Sequence, residues 1–205
     1  MCGIAGFWSA GGLDPHAYAA ILADMNWALS HRGPDSCGTW INEESGIGFA
    51  HTRLAIIDLS DAGRQPMQAS DGRYVITFNG EIYNHEALRA RLGAWAWRGR
   101  SDTETLLAAI ATWGVATALE RVDGMFAFAL WDTHLGRLTL ARDAFGEKPL
   151  FYARLGQTLV FGSELNALRT FPHFDGRLDR EALGDYLRYG YVRAPRSIYA
   201  GVAKL

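Results

Sequence analysis

Cysteine is nearly missing from this chain of 205 residues: there are two, Cys2 and Cys37. A single pair this far apart is no disulfide framework, so a reducing, cytoplasmic location is the expectation. Charge of one sign is missing as well. Lys and Arg total 20 against 22 Asp and Glu, a formal net charge of -2. That balance gives no bulk electrostatic reason to expect nucleic acid or an anionic membrane surface as a partner. No apolar run approaches the ~18 residues of a membrane span. The opening Met1-Cys2-Gly3-Ile4-Ala5-Gly6 has neither the basic start nor the long apolar centre of a secretory signal. Low-complexity stretches, charge blocks and repeats are absent. The six histidines form no His-Glu-x-x-His pattern, and two cysteines make a structural zinc site unattractive, so no metal is expected.

What is there is ordinary globular material, 49% apolar and 20% charged, long enough to bury roughly 70% of its unfolded surface. Short strand-like runs recur at residues 4–8, 47–51, 54–58, 74–78, 125–131, 137–141, 150–153 and 158–161. Asp71-Gly72 and Asn79-Gly80 have hairpin-turn chemistry, which favours antiparallel sheets. Residues 126–131 are apolar on both faces and predict a central strand. Asp14-Pro15 reads as a helix cap followed by proline at the first helical position, and Tyr18, Ile21, Leu22, Met25 and Leu29 follow at helical spacing. A second helix is expected over 84–92. A third begins at Ser101-Asp102-Thr103-Glu104, which has the capping-box form. Residues 171–176 read as a loop, 179–189 as a helix and 192–205 as extended chain. Strands and helices that do not alternate strictly predict an α+β fold with helices outside stacked sheets.

Cys2 is the first residue that carries chemistry. Methionine aminopeptidases remove Met1 before a small second residue, and a chain beginning with cysteine has a thiol and a free α-amine on one residue. The amine, with an ordinary pKa of about 7.7–8.0, can take the thiol proton without a histidine. Taken alone, Cys2 is weak evidence of catalysis and reads as a small apolar residue opening a strand. Cys37 lacks an adjacent base and reads as a packed thiol. Trp95 and Trp97 beside Arg98 and Arg100 predict a loop or hairpin rather than a nucleic-acid patch.

Five motifs then occur in order: Met1-Cys2-Gly3-Ile4-Ala5-Gly6, His31-Arg32-Gly33-Pro34-Asp35, His51-Thr52-Arg53-Leu54-Ala55-Ile56-Ile57-Asp58, Phe78-Asn79-Gly80-Glu81-Ile82-Tyr83-Asn84 and Ser101-Asp102-Thr103-Glu104. Together they resemble the class II glutamine amidotransferase domain of glutamine-hydrolysing asparagine synthetases. The resemblance implies an N-terminal-nucleophile hydrolase fold, a four-layer αββα sandwich of antiparallel sheets over 1–170. It implies that Cys2 attacks the side-chain amide of L-glutamine and that Asn79 and Gly80 form the oxyanion hole. It assigns Arg53 to the substrate α-carboxylate, Asp102 to the α-ammonium and Glu81 to a glutamine contact. Ile56 and Ile57 would touch substrate through their backbone, their side chains belonging to the core. Each position also has a plain reading: a strand-opening arginine, a helix-dipole aspartate, a solvated loop glutamate and a type I′ turn at Asn-Gly.

Residues 171–205 resemble a linker and the start of a synthetase domain. That domain is the expected partner of this one and the expected site of ATP and Mg, with no cofactor in this chain. Ser9-Ala10-Gly11-Gly12-Leu13-Asp14 superficially resembles a pyrophosphate loop but lacks its closing Ser and reads as a loop plus cap. Residues 143–150 resemble a motif at the domain interface. The alternatives are an amidotransferase feeding a sugar acid or sugar phosphate, and a non-catalytic regulatory domain of the same fold. Leu183, Tyr186, Leu187 and Tyr189 predict an exposed apolar face on which a homodimer could form.

Overall fold

The computed structural model describes residues 1–205 apart from Gly12 and Ala94. Among the described residues, ten strands and six α-helices occur in order: β1 (Gly3–Ser9), α1 (Tyr18–Ala28), β2 (Ser36–Asn42), β3 (Ile47–Arg53), β4 (Met67–Gln68), β5 (Tyr74–Ile82), α2 (His85–Leu92), α3 (Asp102–Trp113), α4 (Val115–Leu119), β6 (Gly124–Asp132), β7 (Arg137–Arg142), β8 (Phe151–Leu155), β9 (Thr158–Gly162), α5 (Leu165–Arg169), α6 (Arg180–Tyr189) and β10 (Val202–Lys204). The strands form a six-stranded sheet, β10-β8-β9-β1-β3-β2, and a four-stranded sheet, β4-β5-β6-β7. The pairings between these strands are antiparallel.

Side-chain alternation divides the core into three apolar layers. Ala5 and Phe7 of β1 face Leu22 and Met25 of α1 and Leu168 of α5. Ile4 on the opposite face of β1 joins Phe49, Phe161, Val75, Ala129 and Trp131 between the two sheets. Phe126, Phe128 and Leu130 of β6 pack with Ile76 and Phe78 of β5 against Leu106 and Ile110 of α3. Helices, sheet, sheet and helices are therefore stacked as an αββα sandwich. Each fully buried Phe or Leu contributes about 1.5–3 kcal/mol. Close approach of the layers needs small residues. A Cβ on Gly6 would lie 2.4 Å from the Gly48 carbonyl and 2.6 Å from the Phe161 ring.

Several expectations hold. Strand β6 is central, between β5 and β7. Asp14 caps a short 3₁₀ turn with Pro15 at its start, leading into α1. Ser101 caps α3 by accepting from the Glu104 N–H at 3.2 Å. Glu104, however, turns its carboxylate to the N–H groups of Arg98 and Gly99, so the reciprocal half of the capping box is spent on the preceding loop. That loop, bearing Trp95 and Trp97, adjoins the 54–63 segment through the Arg100 N–H and the Asp58 carboxylate, 2.7 Å apart.

Four expectations are corrected. Residues 54–58 form no strand; they begin a loop whose backbone is held by the Asp35 and Asp58 carboxylates. Asn79-Gly80 lies inside β5, paired with Ala127 and Phe126 of β6, and makes no hairpin turn. Strand β2 was not anticipated because it is a half-exposed edge strand with polar and small residues. Its Cys37 is exposed rather than packed. In the tail, the expected helix is present as α6, with Asp179 as its cap, but only Val202–Lys204 of the final stretch is strand. It pairs with β8 and extends the six-stranded sheet. Of the 9–14 segment, Gly12 lies outside the described residues; Asp14 makes the anticipated cap.

Candidate active site

Antiparallel pairing places the beginning of β1 beside the end of β3, with Gly3 opposite Thr52. Cys2 therefore abuts the first residue after β3: the Leu54 N–H lies 3.4 Å from the Cys2 sulfur, and the sulfur 3.5 Å from the Leu54 carbonyl. Gly3 is needed here, because a Cβ would sit 2.5 Å from the Thr52 hydroxyl oxygen and 3.0 Å from Leu29. The Cys2 carbonyl accepts from Arg32 Nε at 2.9 Å. Arg32 is fixed in turn by Glu164 at 2.8 Å, which also meets His31. The second motif thus anchors the amino terminus.

A cavity of about 200 Å³ opens beside the Cys2 sulfur, room for roughly six or seven waters at ~30 Å³ each. Cys2, Arg53, Ile56, Ile57, Asn79, Gly80, Glu81 and Asp102 all line it. The structure therefore brings every site residue read from the sequence to one place. Burial pushes the Cys2 thiol up, against the opposing pull of the Leu54 N–H, the terminal ammonium and Arg53.

Arg53 ends β3 and is buried. Its guanidinium donates to the carbonyls of Ser60, at 3.1 Å, and Asp58. These two bonds hold the guanidinium, which has further donors, in a residue that lines the cavity. A Cβ on Gly63 would lie 2.4 Å from Arg53 Nη2, so glycine makes the seat for this side chain. Asp58 braces the same loop. The Arg100 N–H and the Ser60 hydroxyl hold its carboxyl below the usual carboxylate range.

Asp102 occupies the first turn of α3 and accepts from the Ile82 N–H and its neighbour Thr103 N–H, both at 2.9 Å. Burial raises its pKa and the backbone donors do not cancel the effect. A cation beside it would offset that cost.

Asn79 is buried, and its side-chain Nδ2 has no hydrogen-bond partner. Such an orphaned donor costs about 1–3 kcal/mol. Its neighbour Gly80 adds a second donor. Phe78 and Ile82 send their N–H groups away from β6, to the Gln65 side chain and Asp102. Strand alternation directs the Gly80 N–H the same way, between them and toward the cavity. A Cβ on Gly80 would strike the Met125 carbonyl at 2.4 Å.

Two expectations about side chains are corrected here. Ile56 and Ile57 are not core; they are 71% and 38% exposed on the rim of the cavity. Glu81 lies on β5 and not in a solvated loop. Lining residues to which the sequence assigned no role in the site include Gln65, Thr103 and Lys148. Lys148 sits in the segment read as an interface motif, and its ammonium reaches the Met1 sulfur at 3.5 Å. The backbone there is gathered by Asp143, which accepts four N–H bonds. No group of three or more potential metal ligands occurs among the described residues, and no helix there is long and apolar enough to cross a membrane.

Comparison with known proteins agrees with this geometry. The chain is 37% identical over its whole length to asparagine synthetase [glutamine-hydrolyzing] 3 of Bacillus subtilis, spanning 33% of that protein. It is 38% identical to asparagine synthetase [glutamine-hydrolyzing] 1 of the same organism, spanning 32%. The chain thus spans about a third of the length of these curated relatives. Glutamine phosphoribosylpyrophosphate amidotransferase from B. subtilis shares the N-terminal-nucleophile hydrolase fold, with a TM-score of 0.68 over 82% of this chain and 43% of that one at 20% identity. The family described as glutamine amidotransferase domain matches residues 1–205, and the chain belongs to that family.

Proposed function

We propose that this chain is a glutaminase, hydrolysing L-glutamine to glutamate and ammonia through a thioester on Cys2. The observation that carries the reading is the unpartnered Asn79 amide and the free-edge Gly80 N–H in the cavity that holds the Cys2 sulfur. Donors left unpaired at a cost are suited to receive charge that exists only in a transition state.

With Met1 removed, the α-amine of Cys2 takes the thiol proton and the sulfur attacks the glutamine δ-carbonyl carbon. Asn79 and Gly80 hold the oxyanion. The C–N bond breaks as the α-ammonium gives its proton to the departing nitrogen, releasing ammonia and leaving a γ-glutamyl thioester. Water then attacks the thioester. The amine takes the water's proton and passes it to the leaving sulfur, and glutamate departs. Arg53 grips the substrate α-carboxylate with the donors its loop leaves free. Asp102 receives the α-ammonium, with Glu81 contacting the substrate beside it and Ile56 and Ile57 closing the rim.

The relatives' names support a destination for the ammonia: an ATP-dependent asparagine synthetase domain beyond residue 205, with residues 171–205 leading toward it. ATP and Mg belong to that partner domain in this reading, and none is assigned to this chain. The test is release of glutamate and ammonia in equal amounts from glutamine by the chain beginning at Cys2, with Cys2→Ala as control. Equal release that Cys2→Ala abolishes supports the reading; none from the processed chain overturns it.

A further inference from the structure

Strand β4 pairs with β5 only at Ile76 and Val75, so β5 leaves its neighbour just before the two oxyanion donors. The next N–H on that edge, at Phe78, would be buried and unpaired. It is met instead by a side chain: Gln65 Oε1 accepts it at 2.6 Å. The Gln65 amide then donates from Nε2 to the Thr103 hydroxyl at 3.2 Å, and Thr103 adjoins Asp102. Both Gln65 and Thr103 are buried. A Cβ on Gly38 would lie 2.1 Å from the Gln65 carbonyl, so the Gln65 backbone packs closely against β2. The carbonyl of the same Phe78 is held by His51 Nε2 at 3.2 Å. His51 is buried, and burial lowers its pKa to about 4, so it stays neutral at working pH and must place its proton on Nε2 to donate.

We infer that Gln65 is a positioning residue of the glutaminase, bridging Phe78 and Thr103 so that the Asn79–Gly80 donors are held at a fixed distance from the Asp102 carboxylate. The inference rests on the function proposed above. The two ends of one glutamine molecule need those two groups at one spacing, and displacement of donors by about 1 Å costs roughly 100-fold in rate. One planar amide sets the spacing with both its ends.

Gln65→Met keeps the size and removes both bonds. Gln65→Glu keeps an acceptor for Phe78. Thr103→Val cuts the other end. Gln65→Met is expected to lower kcat for glutamine about 10- to 100-fold with a smaller change in KM. Gln65→Glu should recover a good part of that loss. The Gln65→Met/Thr103→Val double variant should be no worse than Gln65→Met, because both act through one bridge. Wild-type kcat in Gln65→Met, or strictly additive losses in the double variant, overturns the inference. If the wild-type chain makes no glutamate, the function fails separately. Amide hydrogen exchange at Phe78, Asn79 and Gly80 then decides: faster exchange there in Gln65→Met or, should that variant not fold, in Thr103→Val supports the bridge, and unchanged exchange removes it.

Discussion

Asn79 shows how a single residue reveals a site through its cost. Its Nδ2 is buried and bonds to nothing in the protein, so stability gives no reason for an amide there. Asn79→Ala is expected to lower kcat about 10²- to 10³-fold with no loss of melting temperature, because the lost donor was unpaired in the folded state. Calorimetry beside a glutaminase assay checks both halves. Asp102 gives a pH dependence. Burial raises its carboxyl pKa, so protonation on acidification begins at a higher pH than for an exposed aspartate. Protonated Asp102 has no charge for an ammonium, and the KM for glutamine should rise as pH falls through that raised value. Asp102→Asn should have a high KM that is flat over the same range. An unchanged KM down to the ordinary aspartate range would contradict the role.

At the scale of elements, the loop after β3 matters most. Arg53 is held by two loop carbonyls and by the space above Gly63. Gly63 has no positive φ, so alanine fits its backbone and only the new methyl intrudes on the guanidinium. Gly63→Ala is therefore expected to raise the KM for glutamine at least about tenfold while kcat changes little, the mark of lost ground-state binding. Initial-rate kinetics separate the two. The same loop shows what the sequence concealed. Its Leu-Ala-Ile-Ile run has strand composition, yet the ladders of β3 with β1 and β2 end at Thr52 and Arg53, and the Ile56 and Ile57 side chains turn outward to the rim. Asn79-Gly80 concealed the converse: turn residues sit in the middle of β5 because the site needs an amide side chain and a position without Cβ against Met125. The central place of β6 and the Ser101 cap were legible because a run apolar on both faces and a capping residue are local signals. Gln65 was not legible, since its role arises only when β4 ends short and α3 comes alongside.

At the scale of the molecule, three apolar layers make two sheets into a rigid frame whose strand ends converge on one cavity. The tail is bound to that frame by β10, while Tyr186, Leu187 and Tyr189 of α6 and the following Tyr191 stay exposed. Such a face favours association. Sedimentation of this chain alone should give a mass that rises with concentration, and Leu187→Lys should reduce the rise; identical behaviour of the two would exclude α6 as the contact. Catalysis nevertheless turns on the first atoms of the processed chain. With Met1 in place, the α-amine of Cys2 is a peptide nitrogen and the buried thiol is held above its ordinary pKa. The most direct measurement is ammonia release from glutamine by two preparations of the same chain, distinguished by mass, one beginning at Cys2 and one retaining Met1. Turnover by the first and none by the second is the predicted result. Equal turnover by both would contradict a base carried on the nucleophile's own residue.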